Sequence, residues 1–72
     1  VLARAFGADN QLGVAPEFGW VEVGLTAAGR ADAVLSAVPD RFAVFQWHSD
    51  TFTLPDGAVH LAASPAARNQ AF

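Results

Sequence analysis

The sequence predicts an α/β fold, and three observations carry that expectation. "WVEVGLT" alternates, with Val21, Val23 and Leu25 on one face and Trp20 and Glu22 on the other, as in a half-buried strand. "RFAVFQW" is a near-continuous apolar run, the pattern of a strand covered on both faces. Short segments at helical spacing flank these two, so strands and helices are mixed along the chain.

Taken in order, "VLARAFGA" places Val1, Leu2, Ala5 and Phe6 at helical spacing, with Gly7 where a left-handed C-terminal cap belongs. "DNQLGVAPEFG" carries Asp, Asn, Gly and Pro and reads as a loop around a short strand. The strand "WVEVGLT" comes next, then "TAAGR" as a turn. "ADAVLSAVP" reads as a short helix with Asp32 as its N-cap and Pro39 beyond its end. After the buried strand "RFAVFQW", "TLPDGA" is a turn around Asp56-Gly57. "VHLAAS" reads as a strand, "PAAR" as a turn and "NQAF" as the opening of a further strand. There is no internal repeat. No N-cap precedes Val1 and the last strand is cut short, so residues 1–72 read as an internal fragment of a single larger domain, incomplete at both ends.

Composition narrows the function classes. A chain of 72 residues makes one small domain at most, and such a domain buries only about 60% of its unfolded surface. With no cysteine, it holds neither a disulfide nor a thiol nucleophile. An apolar content of 53% argues against disorder and is high for a free-standing domain of this size. Four arginines, no lysine and seven acids leave a net charge of −3, and no basic patch for a nucleic-acid backbone. No apolar run approaches the roughly 20 residues that span a bilayer, and no signal-peptide pattern opens the chain. The expectation is a cytoplasmic protein with no nucleic-acid or membrane partner.

The chemistry-bearing residues gather in "FQWHSDTFTLP", where Trp47, His48, Ser49 and Asp50 follow one another at a strand end. Ser49, His48 and Asp50 are the residue types of a hydrolytic triad. Strand neighbours point to opposite faces, however, and a triad needs groups that converge from separate positions. Metal binding would draw on His48, Asp50 and His60 with Glu17 or Glu22, but no second spaced pair supports it, and no metal is expected. His60 alternates with Val59 and Leu61 and reads as a solvent-facing strand position. Trp20 and Trp47 read as core or cleft walls. No G-x-G-x-x-G or P-loop pattern is present, and no cofactor is expected. The residues by themselves read as a ligand-contacting loop at the end of a buried strand, a place where open α/β sheets bind ligands.

The stretch "VFQWHSDTFTLPDGAVHLAASPAARNQAF" resembles the segment of class I glutamine amidotransferases that typically reads V-F-H-W-H-G-D-T-F-x-L-P-x-G-A-x-x-L-A-x-S and then N-Q-A-F. "VLARAFGA" is similar to the helix after that family's G-x-C-x-G-x-Q nucleophile motif, and "EFGWVEVGLT" to its E-I-G-W strand. The likeness runs in order over nearly the whole chain and points to the stand-alone branch similar to the glutaminase domain of GMP synthase.

The resemblance implies a three-layer α/β/α, flavodoxin-like domain with a mostly parallel sheet. It implies glutamine hydrolysis to glutamate and ammonia by a Cys-His-Glu triad, all of it outside this chain, so none of these residues is catalytic. Trp47, His48, Ser49 and Asp50 would form the substrate-binding stretch, beside the α-amino and α-carboxylate groups of glutamine or a γ-glutamyl compound, largely through backbone atoms. His48 and Asp50 would also share a side-chain hydrogen bond. A synthetase partner or domain would take the ammonia. Ser49 stands where the family favours glycine, Gln46 where it often has histidine, and Arg68 near a common proline. The alternative is a non-catalytic binding or interaction module that keeps the fold without the triad.

Overall fold

A long antiparallel pair organises the chain, which a computed structural model describes from Val1 to Phe72. Strand β2 (Glu17–Leu25) pairs with β3 (Arg41–His48) in a register that sets Glu17 opposite His48 and Gly24 opposite Arg41. Because side chains alternate along a strand, this register sorts them into two faces. Phe18, Trp20, Glu22, Ala43, Phe45 and Trp47 share the outer face. Val21, Val23, Leu25, Phe42, Val44, Gln46, His48 and Glu17 share the inner one. Val23, Leu25 and Ala62 form the buried core, with Leu35, Phe42, Val44 and Ala71 packed against it.

The other elements are short. Helix α1 (Leu2–Ala5) ends before Gly7, whose φ of +89° supplies the left-handed turn expected there. Strand β1 (Asn10–Gln11) pairs with β4 (Thr51–Phe52), and β5 (Ala62–Ala63) pairs with the end of β2. Ala71 bridges to Ala62, so "NQAF" does return to the sheet edge. Only Ala62 and Ala63 of "VHLAAS" are in ladder pairing.

Several expectations need correction. The "TAAGR" segment is helix α2 (Ala27–Ala31), capped by the Thr26 hydroxyl, which accepts from the Gly29 N–H at 3.0 Å. Asp32 caps as expected, accepting from the N–H groups of Val34 and Leu35 at 2.9 and 3.1 Å, but the element it caps is a single 3-10 turn over Leu35–Ala37. Strand β3 is not covered on both faces: exposed and half-buried residues alternate along it. Trp20 and Trp47 are not core walls, being 76% and 79% exposed on the outer face.

Every pairing among these strands is antiparallel, whereas the resemblance implies a mostly parallel sheet. The β2–β3 connection shows why. A parallel crossover must carry the chain back along the sheet, usually on a helix within a dozen or more residues. The five residues of α2 rise only about 7.5 Å, against about 30 Å for the nine residues of β2. The chain therefore turns over at the Leu25 end and runs back beside β2. The molecule measures 30 × 30 × 15 Å, room for one sheet with a single packed layer, so three layers are not assembled by these residues alone.

Candidate functional site at the end of the hairpin

β3 ends at His48 and β4 begins at Thr51, leaving Ser49 and Asp50 as a two-residue step between them. The inner face of the hairpin changes character as it approaches this step. Its far end is the apolar core, and its near end carries Glu17, Gln46 and His48. Polar groups placed there must be satisfied within the protein, and they are joined in one network.

Glu17 is its centre. Only 4% exposed, it presents Oε1 to His48 Nε2 at 2.9 Å and accepts from Gln70 Nε2 at 2.7 Å. Gln70 Nε2 also donates to Ser64 Oγ at 2.8 Å, and Gln46 Nε2 donates to Gln70 Oε1 at 3.2 Å. The other ring nitrogen of His48, Nδ1, lies 2.8 Å from the Asp50 carbonyl oxygen. A carbonyl only accepts, so Nδ1 carries a proton. A second proton then lies between Nε2 and the carboxylate. Gln46, His48, Asp50, Thr51, Phe52, Asn69 and Gln70 enclose a cavity of about 200 Å³ beside the step.

The step itself is pinned from the other side. The Gly13 N–H donates to Asp50 Oδ1 at 2.9 Å, and the Ala15 N–H donates to the Ser49 carbonyl at 3.0 Å. Gly13 sits at φ +71°, a conformation open to glycine at little cost, which lets the 12–16 loop turn its N–H groups toward residues 49 and 50. The N–H groups of Ser49 and Asp50 donate to no acceptor in the chain. Two successive main-chain donors are thus held in place by bonds made through neighbouring atoms.

The four expected residues are contiguous, yet their side chains diverge. Trp47 lies on the outer face, packed 6.4 Å from Phe45 between ring centroids, while His48 points inward. The expected side-chain bond between His48 and Asp50 is not formed: His48 reaches the Asp50 carbonyl, and the Asp50 carboxylate faces Gly13. His48, Ser49 and Asp50 therefore make no triad. His60 is not a solvent-facing strand residue, since its Nε2 lies 2.9 Å and 2.6 Å from the Ala62 and Arg68 carbonyl oxygens. It does not join His48, and no three metal-ligating side chains are gathered anywhere. Sequence reasoning missed Glu17 and Gln70 as members of the site. Strand parity was the available signal for Glu17, because it shares a face with Val21, Val23 and Leu25.

No protein-family model and no curated protein matches this sequence. Solved structures do. A glutamine amidotransferase from Thermotoga maritima is 37% identical with a TM-score of 0.85, over 96% of this chain and 29% of its own. A glutamine amidotransferase from Methylobacillus flagellatus is 31% identical with a TM-score of 0.81, over 96% of this chain and 27% of its own. A protein from Thermoplasma acidophilum described as a GMP synthase component is 27% identical with a TM-score of 0.82, over 96% of this chain and 34% of its own. The chain spans about a third or less of the length of each. Sequence motifs and backbone agree, and over the segment it spans the chain resembles the glutamine amidotransferases in both.

Proposed function

We propose that this segment forms the substrate-facing hairpin of a class I glutamine amidotransferase that hydrolyses the side-chain amide of glutamine to glutamate and ammonia. The likeness to amidotransferases over 96% of the chain carries the reading. The nucleophile is a cysteine thiolate supplied by sequence outside these 72 residues, which contain no cysteine. It attacks the amide carbon, ammonia leaves, and water resolves the γ-glutamyl thioester, with a histidine as base and a glutamate orienting it. In the assembled enzyme the hairpin adjoins a mostly parallel sheet in a three-layer α/β/α domain, and a synthetase partner or domain receives the ammonia.

The part played by this chain is binding. The free N–H groups of Ser49 and Asp50 hold the α-carboxylate or neighbouring polar atoms of glutamine, while Glu17 and His48 keep the step in position from behind. Main-chain donors fixed before the ligand arrives lose little freedom when it binds. That division of labour accounts for a serine where related sequences carry glycine, because the contact uses no side-chain atom.

The test is glutaminase turnover by the natural-length polypeptide, together with labelling by a glutamine-analogue alkylator. One thiol should be labelled, with loss of activity, and the isolated 72-residue chain should release no ammonia above background. A natural-length polypeptide that folds, lacks the cysteine and releases no ammonia would establish the non-catalytic binding module instead.

A further inference from the structure

A second and larger cavity lies on the other side of the Thr51–Phe52 strand from His48. Its volume is about 480 Å³, within the range of roughly 300–1,000 Å³ for small-molecule sites. Residues 51–54 form one wall, the 66–69 turn another, and Gln11, Val14 and Ala15 a third. These walls are tied to the rest of the fold by hydrogen bonds. Asn69 Nδ2 donates to the Phe52 carbonyl at 2.8 Å, and the His60 ring holds the Arg68 carbonyl at 2.6 Å. Thr53 and Asp9 exchange two bonds, each of 2.9 Å. The recess is built before anything enters it.

Its charge is distinctive. No aspartate or glutamate lines it, and Arg68 does. The other arginines are engaged: Arg4 lies 3.6 Å from Asp9, Arg41 lies 3.1 Å from Glu22, and Arg30 Nη1 donates to the Leu25 carbonyl at 3.2 Å. Arg68 alone has no side-chain partner. In a chain of net charge −3, an acid-free recess that keeps an unpaired guanidinium selects for an anion. Val14, Ala15, Phe52, Leu54 and Ala66 make much of the remaining wall apolar.

We infer that this recess binds a small molecule bearing one carboxylate on an apolar body, with Arg68 as the recognition residue. A planar guanidinium meets a carboxylate through two parallel hydrogen bonds. A single cation against apolar walls suits a flat monoanion better than a phosphate, which calls for more donors. The inference is independent of the amidotransferase reading, since it uses neither the Ser49–Asp50 step nor any catalytic group.

The probe is benzoate, with benzamide as its neutral counterpart of the same shape, titrated into isotope-labelled natural-length protein and followed by amide NMR. Benzoate should shift the signals of Thr51, Thr53, Ala66 and Asn69 saturably, and benzamide should bind at least about tenfold more weakly. Arg68→Gln should weaken benzoate by about tenfold and leave benzamide unchanged, while Arg68→Lys should retain part of the preference. Equal binding of the two probes overturns the inference, as does benzoate affinity unchanged in a folded Arg68→Gln protein, or no saturable shift at those residues. The benzoate-to-benzamide comparison on the unaltered protein decides the matter even if the variant fails to fold.

Discussion

Replacing His48 with alanine strands a buried carboxylate. Glu17 is 3% exposed at its side chain and has two partners for Oε1, His48 Nε2 and Gln70 Nε2, while Oε2 is buried with none. His48→Ala leaves a single donor, and breaking a buried pair by removing one partner costs about 3–5 kcal/mol. The His48 side chain is 27% exposed, so water partly replaces it and the lower figure, about 3 kcal/mol, applies. Glu17→Ala orphans less. Gln70 keeps Ser64 Oγ at 2.8 Å and the partly exposed imidazole reaches water, so the loss is about 2–3 kcal/mol, mostly packing. Glu17→Gln should cost only about 1 kcal/mol. Its amide can donate to a neutral His48 Nε2 if the Gln70 and Gln46 amides flip in turn, which alters no packing.

The double variant separates coupling from coincidence. With both groups gone no charge is stranded, so the two losses should sum to more than the double loss by about 1–3 kcal/mol. Thermal melts of the natural-length protein and its three alanine combinations measure this, at about 2–4 °C per kcal/mol for a domain of 150–250 residues. Losses that add to within roughly 0.5 kcal/mol, or a His48→Ala protein that melts with the parent, would refute the network.

The step predicts its own mutational pattern in kcat/KM for glutamine. Ser49→Gly should be tolerated, whereas Ser49→Pro should lose most activity, because proline deletes the free N–H and fixes φ. Loss of turnover in a folded Ser49→Gly protein would make the hydroxyl a chemical participant. Gly29→Ala should destabilise by about 1–3 kcal/mol in chemical unfolding. Alanine gains about 1 kcal/mol of helix propensity, but its Cβ would fall on the Leu61 carbonyl oxygen, which is fixed by the Thr26 N–H at 2.9 Å. The isolated 72-residue chain should show no sharp cooperative melt. It exposes 4756 Å², where a compact protein of its mass exposes about 4,250 Å², and no large side chain is fully buried. Dispersed amide signals with a cooperative monomer transition would contradict this.

The parts of the fold legible in the sequence are those written in local spacing. Alternation through Trp20, Val21, Glu22 and Val23 marks β2 and its two faces, and Gly7 and Gly57 mark turns that need φ values of +89° and +79°. The faces of β3 were hidden for a physical reason: Ala43, Phe45 and Trp47 are apolar on the outer face as well, so no period shows in "RFAVFQW". Helix α2 was hidden by Gly29, which reads as a turn residue and is there because the Leu61 backbone passes where a Cβ would be. Pairing direction was not legible at all, since it depends on how far the connection can travel rather than on either strand.

The site followed the same division. Trp47 to Asp50 stand out as a run of polar and aromatic residues at a strand end, and the run does form the step between β3 and β4. What holds it could not be read, because Glu17, Gln46, His48 and Gln70 come from three separate stretches. Parity puts Glu17 on the apolar face of its strand, where a carboxylate must be paired. Finding its partner requires the register, and a shift of one residue would turn His48 to the outer face beside Phe18 and leave Trp47 inside. The hydrophobic core decides that register: Val23 meets Phe42 and Val21 meets Val44 on the inner face. Packing at the apolar end of the hairpin thus aligns Glu17 with His48 at the other end. A substitution that slips the core, such as a bulky polar residue at Val23, should disable the step without touching it.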